Sequence, residues 1–231
     1  MLTTEFDRCV RLAASLCAGL VLAACAIPVS EHHVADKPIQ SPPLAVTALG
    51  GLLLEPGEIQ SLTADSVTGG ALVTSMLSND GLDEKSCAAV DNIAGEEVYA
   101  GSGWTAVRRQ QLSEPGDDPD HFIQQAVVSF PTADDATDFF TASKHLWEAC
   151  SNRRYRSATS EEPDVVWTVG PVTVLDGVLS TTEIQEGGEG WNCQRALTAG
   201  INVIVDVLAC TYGQVDTAVD IARRIGVRLR R

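Results

Sequence analysis

The chain has 231 residues and a formal net charge of −15, and 45% of its residues are hydrophobic. This composition is too apolar for a disordered protein and is ordinary for one or two globular domains. The negative charge argues against a nucleic-acid partner, because binding to the phosphate backbone depends on its neutralisation by Lys and Arg.

The N-terminal segment has the pattern of a lipoprotein signal peptide. Two arginines precede an apolar run over residues 12–24, which is too short to cross the core of a bilayer. The run leads into LAAC at residues 22–25, which resembles the bacterial lipobox, in which the Cys is acylated and becomes the first residue of the mature chain. We therefore predict a signal peptide over residues 1–24 and lipidation of Cys25 by acyl chains of the palmitate type. The alternative is an ordinary signal peptide with a chance Cys near its end.

Residues 25–51 are predicted to form a flexible tether. They contain four prolines among small and polar residues and show no sustained hydrophobic period. The adjacent His32 and His33 have no other metal ligand nearby, so a solvated linker is favoured over a metal site there. The folded domain is expected over residues 52–231.

The first half of this domain contains both helical and strand-like patterns. A short helix that begins at Pro56 and a second over residues 83–93 come first. A long helix capped by Thr132 is the clearest prediction, because its apolar residues recur at helical spacing and form one face. These residues are Ala136, Phe139, Phe140, Ser143, Leu146, Trp147 and Cys150. Strands are predicted between the second and the long helix, over 97–100, 104–112 and 122–130.

The second half of the domain has the alternation typical of strands, followed by one helix from about Gln214. The last strand is apolar on both faces, which predicts a central and covered position. Since strands occur in runs with helices outside those runs, we predict an α+β fold, with one domain in which an antiparallel sheet packs against a few helices. The predicted strands cover 165–169, 172–175, 178–184, 190–198 and 202–210.

The cysteines predict two disulfides. Four remain when Cys25 and those of the leader are set aside, and none forms a CxxC pair. In an exported protein this pattern favours disulfides over metal ligation. If the last two predicted strands form a hairpin, Cys193 lies opposite Cys210, which leaves Cys87 to pair with Cys150.

Several short motifs occur in an order that resembles the PknH-type extracellular sensor domain. This domain is the outer part of a mycobacterial receptor serine/threonine kinase, and it recurs in stand-alone lipoproteins of related bacteria. The resemblance covers roughly residues 52–231. The motifs are YAGSGW at 99–104, QAVV at 125–128, Trp147 with Cys150, GW at 190–191, CQRAL at 193–197 and NV at 202–203 with DV and AC at 206–210.

The resemblance implies an antiparallel sheet packed with helices, two disulfides and a polar cleft that binds an unidentified ligand. The kinase signatures HRD and DFG do not occur in this sequence. The resemblance therefore implies a ligand-binding or sensing role rather than kinase activity.

Signs of catalysis are weak throughout the sequence. The GSG at residues 101–103 lacks the G-x-S-x-G spacing of a nucleophile elbow and is interpreted as a tight connection. An acidic loop with Asp117, Asp118, Asp120 and His121 lacks the ligand spacing of a calcium loop, so a solvated turn is favoured. We expect no enzyme activity, no cofactor and no metal site. The alternatives are an envelope hydrolase or transferase, and a structural or assembly protein of the cell envelope.

Four residues are candidates for ligand contact. Arg153, Arg154 and Arg156 form a basic cluster with the chemistry to bind an anionic headgroup or a phosphate. A solvated basic turn is the favoured interpretation of that cluster. The indole ring of Trp167 offers a face on which a sugar could stack.

Asp206 is a carboxylate in an otherwise apolar predicted strand. An unpaired charge at such a position would be costly, so we predict a hydrogen-bonding or ionic partner, and Arg195 on the neighbouring strand has the required charge. A structural pair is favoured over a ligand contact at this position.

These patterns together predict a lipid-anchored protein of the cell envelope. Its domain is expected on the extracytoplasmic face of the cell membrane, where it binds or senses a partner without catalysis. The partner classes left open are a small molecule, a glycan, a lipid and an envelope protein.

Overall fold

The structure is a computed structural model that describes residues 42–78, 87–116, 119–157, 165–213 and 216–230. Every described residue belongs to one compact unit within residues 39–231. The predicted signal peptide and the predicted lipidation site, Cys25, lie outside the described residues. None of the helices within the described ranges combines the length and the apolar character that crossing a membrane requires.

The domain is a nine-stranded antiparallel sheet with helices on both faces. The strand order is β1-β2-β3-β9-β8-β7-β5-β4, and β6 pairs with β7. The strands are β1 (Thr68–Gly69), β2 (Ala106–Ser113), β3 (His121–Ser129), β4 (Arg154–Ser157), β5 (Val165–Val169), β6 (Thr173–Leu175), β7 (Val178–Gln185), β8 (Trp191–Gly200) and β9 (Val203–Tyr212). The helices are a 3-10 helix (Val46–Leu52), α1 (Pro56–Thr63), α2 (Ala88–Asp91), α3 (Glu96–Tyr99), α4 (Ala133–Cys150) and α5 (Thr217–Leu229). The predicted α+β fold is confirmed.

The middle strands carry the hydrophobic core. β9 lies between β3 and β8, and its side chains are buried on both faces from Val203 to Val207, so its predicted central position is confirmed. The 3-10 helix, α1 and α5 cover one side of the sheet, here called the α5 face. The other side, here called the α4 face, is covered by α2, α3 and α4.

The long helix α4 forms where its sequence predicts it. The Thr132 hydroxyl accepts a hydrogen bond from the Asp135 amide at 3.1 Å, and the Asp135 carboxylate accepts one from the Thr132 amide at 3.0 Å. This reciprocal capping box satisfies two backbone amide groups at the N-terminus of α4 and so fixes where the helix begins. Most of the predicted apolar face is buried against the sheet, whereas Leu146 is 45% exposed.

Both predicted disulfides are confirmed. Cys87 at the start of α2 bonds to Cys150 at the end of α4 and so ties these two helices together. Cys193 bonds to Cys210 across the β8–β9 ladder, where the two residues are register partners.

The hairpin of β8 and β9 turns at Ile201 and Asn202, and Ile201 adopts a left-handed conformation with φ of 51°. The buried Asn202 side chain clamps two other segments at this end of the sheet. Its amide nitrogen donates to the Phe130 carbonyl at 2.7 Å, and its oxygen accepts from the Leu44 amide at 2.7 Å. The chain is therefore fixed to the sheet from Leu44 onwards.

Three of the differences from the sequence-based predictions have a clear physical reason. The strand predicted over 97–100 is wrong, because Glu96–Tyr99 forms the single-turn helix α3, and four residues are too few to distinguish the two periods. The 3-10 helix occupies the last part of the predicted 25–51 tether and buries Leu49; its two glycines and small residues show no regular pattern. The edge strand β4 was not predicted, since it is short and mostly polar.

The predicted pair of Arg195 and Asp206 is confirmed under α4. Arg195 Nη2 donates to Asp206 Oδ1 at 2.6 Å, and Asp206 Oδ2 accepts from the Ala94 amide at 2.9 Å and from the Tyr99 hydroxyl at 3.2 Å. The guanidinium also lies 5.4 Å from the ring centroid of Trp147, within the range of a cation–π contact. Both side chains of the pair are at most 2% exposed.

Candidate functional site

A cleft of about 760 Å³ opens on the α4 face where the helical layer ends. The helices α2, α3 and α4 cover the end of the sheet where β3 and β8 finish and β9 begins. The cleft lies at the opposite end of these strands, where β3 and β8 begin and β9 finishes. Its floor is formed by the side chains of Phe122, Gln124, Glu183, Trp191, Cys193, Leu208, Cys210 and Tyr212.

Strand alternation explains why these residues share one face. Cys193 pairs with Cys210 and with Glu183, and Cys210 also pairs with Phe122. Register partners point to the same side of a sheet, so one row of side chains crosses four strands. The disulfide lies at the centre of this row and fixes the floor between β8 and β9.

The walls of the cleft come from other elements. Asp91 and Asn92 lie at the end of α2, Tyr155 and Trp167 lie on the paired strands β4 and β5, and a turn over residues 187–189 closes one side. The rings of Trp191 and Tyr212 meet edge to face, with centroids 4.9 Å apart. The site therefore combines aromatic surfaces with carboxyl and amide groups.

Two carboxyl groups share one hydroxyl in this cleft. The Tyr155 Oη atom lies 2.8 Å from Asp91 Oδ1 and 2.7 Å from Glu183 Oε1. A phenolic hydroxyl has one proton and donates one hydrogen bond, so the second contact requires a proton on one of the carboxyl groups. We refer to Asp91, Tyr155 and Glu183 as the carboxyl–tyrosine triad.

Burial explains why a carboxyl group in the triad keeps a proton. Glu183 is 2% exposed, and burial raises its pKa to about 7, with the negative charge of Asp91 adding to the rise. The hydrogen bond from Tyr155 and the charge of Arg195 act in the opposite direction. Burial also raises the pKa of Asp91 and raises the pKa of Tyr155 well above its ordinary value. The two carboxyl groups thus share a proton near neutral pH and titrate as a pair.

The cleft is acidic in the part that the structure describes. Asp91, Glu183 and Glu189 line it, and none of its described lining residues is Lys or Arg. Asn92, Gln124 and Gln185 provide neutral amide groups that donate and accept hydrogen bonds. This lining favours ligands that carry positive charge or hydroxyl groups over anions.

The four residues predicted to contact a ligand do not lie together in the structure. Trp167 lines the cleft. Arg154 and Arg156 flank Tyr155 on β4, so strand alternation turns them to the opposite face, where Arg154 forms an ion pair with Glu186. Arg153 precedes β4 and is exposed. The basic cluster and Trp167 are therefore not brought together in one site.

The carboxyl–tyrosine triad was missed by sequence reasoning. Tyr155 lies between two arginines in a strand of four residues, and Asp91 lies on a helix of four residues, so neither element is long enough to show a hydrophobic period. Glu183 carries the one available signal: in the predicted strand 178–184 it shares a face with Leu179, which marks it as a carboxyl group on a side that is in part apolar.

A second group of polar residues lies near the end of β2, outside the cleft. His121 Nδ1 lies 2.7 Å from Glu114 Oε1 and 3.6 Å from Asp65 Oδ2. The first distance is that of a hydrogen bond between the imidazole and the carboxylate. Of the predicted acidic loop, Asp117 and Asp118 lie outside the described residues.

Most of the chain is similar in sequence to one known family of domains. The sequence profile described as the PknH-like extracellular domain matches residues 44–228. The serine/threonine-protein kinase PknH of Mycobacterium bovis is 36% identical over 216 residues, which cover 92% of this chain and 36% of the kinase. PknH of Mycobacterium tuberculosis is also 36% identical, with 92% of this chain and 34% of the kinase covered. The chain thus spans about a third of the length of these curated relatives.

A solved structure has a similar fold. The crystal structure of the extracellular domain of PknH from Mycobacterium tuberculosis superposes with a TM-score of 0.79 at 34% sequence identity. The match covers 82% of this chain and 98% of that domain. The matched share is large enough to contain the sheet and its helices, in agreement with the architecture described above.

Proposed function

Because this chain belongs to the family of PknH-like extracellular domains, we propose that it is a lipid-anchored envelope protein that binds a ligand outside the cytoplasmic membrane without catalysis. The cleft on the α4 face is the proposed binding site. The ligand classes considered are a small molecule, a glycan, a lipid headgroup and a segment of an envelope protein.

The cleft is the observation that carries the binding proposal. Its volume of about 760 Å³ falls within the range of roughly 300–1,000 Å³ common for ligand sites. Aromatic side chains, amides and carboxyl groups converge on it, which is the usual composition of a site that orients a small ligand. The disulfide in its floor supports a shape that persists without a ligand.

The lipid anchor is proposed from the sequence. The LAAC motif at residues 22–25 follows a short apolar run, and acyl chains on Cys25 would hold the protein at the membrane surface. Expression in a bacterial host that processes lipoproteins tests this proposal. We expect the wild-type chain in the membrane fraction with an acylated N-terminal Cys by mass spectrometry, and a Cys25→Ser variant without acylation. An intact leader and an unmodified Cys25 would contradict the anchor and leave the binding proposal standing.

Ligand binding is tested with the full chain purified in mild detergent. Thermal-shift and calorimetric titrations against fractionated glycans, lipids and metabolites of the envelope should identify at least one saturable ligand. Gln124→Trp places a large ring in the cleft and should weaken that binding at least about tenfold, which corresponds to roughly 1.4 kcal/mol. The same substitution at the exposed Gln60 on α1 is the matched control and should leave affinity unchanged.

One observation favours a second function, that of an envelope hydrolase. Glycoside hydrolases use two carboxyl groups in a cleft, one of them with a raised pKa, and here burial raises the pKa of both Asp91 and Glu183. The carboxyl–tyrosine triad opposes this reading, because the Tyr155 hydroxyl lies within 3 Å of both groups and occupies the place between them that a glycosidic bond would need. Release of reducing sugar from envelope glycans by the wild-type chain but not by Glu183→Gln would establish the hydrolase.

A further inference from the structure

We propose that the cleft takes an organic cation, a ligand with a protonated amine or a quaternary ammonium group, and that binding of this cation releases the proton held by the carboxyl–tyrosine triad. The inference rests on the proposed function, since it assigns a ligand class to the same cleft. It differs from that function in predicting charge selectivity and a direction of pH dependence.

The charge of the lining is the first argument. Asp91, Glu183 and Glu189 contribute carboxyl groups, and no described lining residue contributes a cation. The nearest buried cation among the described residues, Arg195, is already paired with Asp206 at 2.6 Å. The described lining residues therefore carry a net negative charge in a partly desolvated position, where a cation is attracted more strongly than in water.

The aromatic surfaces are the second argument. Trp191 and Tyr212 form an edge-to-face pair on one side of the cleft, and Trp167 with Tyr155 lies on the other. Aromatic rings attract ammonium groups through their negative faces, and quaternary ammonium ligands are bound in such surroundings in other proteins. An anionic ligand would meet the same rings and carboxyl groups with repulsion.

The shared hydroxyl is the third argument and gives the coupling to protons. Tyr155 donates a hydrogen bond to one carboxyl group and accepts one from the other, so the triad without a ligand keeps one carboxyl group neutral. An ammonium group beside Asp91 and Glu183 stabilises the state in which both are ionised. The carboxyl proton then leaves to solvent as the cation binds, and charge is conserved.

The charged groups around the triad set the pH range of this coupling. Asp91 faces it from α2, and Arg195 on β8 reaches the Asp91 carbonyl with Nη1 at 3.4 Å. Asp206 on β9 pairs with Arg195, and Glu189 lies in the turn beside β8. Because burial raises the pKa of Glu183 to about 7, cation affinity should increase between about pH 6 and pH 8.

The experiment compares cations with uncharged molecules of the same shape. Choline is titrated against the full chain beside dimethylbutanol, its neutral isostere, and cadaverine beside pentanediol. Neither cation titrates near neutral pH, so any pH dependence comes from the protein. We expect each cation to bind at least about tenfold more tightly than its isostere, with several-fold higher affinity near pH 8 than near pH 6. Calorimetry in buffers of different ionisation enthalpy should detect proton release.

Variants locate the effect in the triad. Glu183→Gln should weaken cation binding near pH 8 about tenfold, as expected for loss of a charged hydrogen-bond acceptor, and should abolish its pH dependence. Asp91→Asn is a second variant with the same expected direction. Glu186→Gln is the matched control, because it removes one carboxylate near the end of β7 from the opposite face, where its partner is Arg154. It should change neither affinity nor pH dependence.

The outcomes separate this inference from the proposed function. Equal affinity for cations and their isosteres would overturn the ligand class, and pH-independent cation binding would overturn the coupling. If none of these probes binds, while an envelope fraction binds in a manner that Gln124→Trp prevents, the inference fails and the cleft keeps its proposed role. If nothing binds to the cleft, both fail.

Discussion

Under α4, Arg195 and Asp206 are enclosed by the helical layer, whereas Asp91 and Glu183 border the open cleft on the same face of the sheet. In the enclosed pair, one carboxylate meets a guanidinium, a backbone amide and a hydroxyl, so its oxygens are matched by donors. In the triad, two carboxyl groups compete for one hydroxyl. The enclosed carboxylate has donors on both oxygens, whereas the two carboxyl groups of the cleft share the Tyr155 hydroxyl.

This difference indicates different roles for buried polar residues in one domain. Burial raises the pKa of Asp206 as well, but the Arg195 charge, the Ala94 amide and the Tyr99 hydroxyl favour its ionised form, and these matched contacts contribute to a unique packing of the core. A buried carboxyl pair that shares one hydroxyl, with burial raising the pKa of each group, changes its protonation with pH and with the charge of a ligand. Mutation should therefore affect stability in the first region and pH response in the second.

The largest expected effect on the free energy of unfolding comes from removing one partner of the enclosed pair of Arg195 and Asp206. Asp206→Ala leaves the Arg195 guanidinium buried without its carboxylate, and we expect a loss of about 3–5 kcal/mol in the free energy of unfolding. Urea denaturation of the variant and the wild type measures it. The double variant Arg195→Met with Asp206→Leu removes both charges and should recover at least half of that loss. A cost below about 1 kcal/mol for Asp206→Ala would show that this pair is not the matched interaction described here.

Loss of either disulfide should lower the free energy of unfolding by a slightly smaller amount. The Cys87–Cys150 bond closes a loop of 63 residues over the enclosed region, and Cys193–Cys210 closes one of 17 residues in the cleft floor. Loop entropy predicts losses of roughly 4 and 3 kcal/mol when each pair is replaced by Ser. Chemical denaturation of both double variants tests the order. A larger loss for the shorter loop would mean that local packing, not loop length, dominates.

The third prediction concerns stability as a function of pH. The pKa of Glu183 is raised from 4.5 to about 7 in the folded state, so its contribution is fully present below pH 4.5 and is lost as pH rises to about 7. The loss amounts to about 3 kcal/mol at most. Glu183→Gln should remove this decline, so that the variant is the more stable protein near pH 8 and not near pH 4. Identical pH profiles of unfolding for variant and wild type would contradict the raised pKa.

The smallest effect is expected at the β8–β9 turn, at the far end of the sheet from the cleft. Ile201 has a φ of 51°, which strains a β-branched residue and suits glycine. Ile201→Gly should raise the free energy of unfolding by about 1 kcal/mol, since relief of strain outweighs the added flexibility of the unfolded chain. Thermal unfolding measures the change. Ligand binding in the cleft should be unaffected, and a weaker binding would show that the two ends of the sheet are coupled.

Much of the framework could be predicted from the sequence because burial repeats along long elements. The helix α4 and the strands β3, β7, β8 and β9 have enough residues for a period to emerge, and the hairpin register then pairs Cys193 with Cys210. Asp206 was recognisable because a carboxylate interrupts an apolar strand. The single-turn helix α3 and the edge strand β4 were too short for such a signal.

The candidate site was predictable only in part for a related reason. Asp91, Tyr155 and Glu183 come from three elements, and two of these have four residues each. Their contacts depend on how α2 and β4 lie against β7, which no local pattern specifies. Trp167 was identified by residue type, and the arginines beside Tyr155 drew attention to the face of β4 that is turned away from the cleft.

The hydrogen bonds of Asn202 and the cleft lie at opposite ends of the sheet. Asn202 holds Leu44, the point from which the chain leads back to the N-terminus, where β3 ends and β9 begins. The cleft lies where β3 begins and β9 ends, roughly 30 Å away along strands of nine or ten residues. If the lipid anchor proposed at Cys25 is present, a force transmitted along the N-terminal chain would load the hydrogen bonds of Asn202 and not the residues of the cleft.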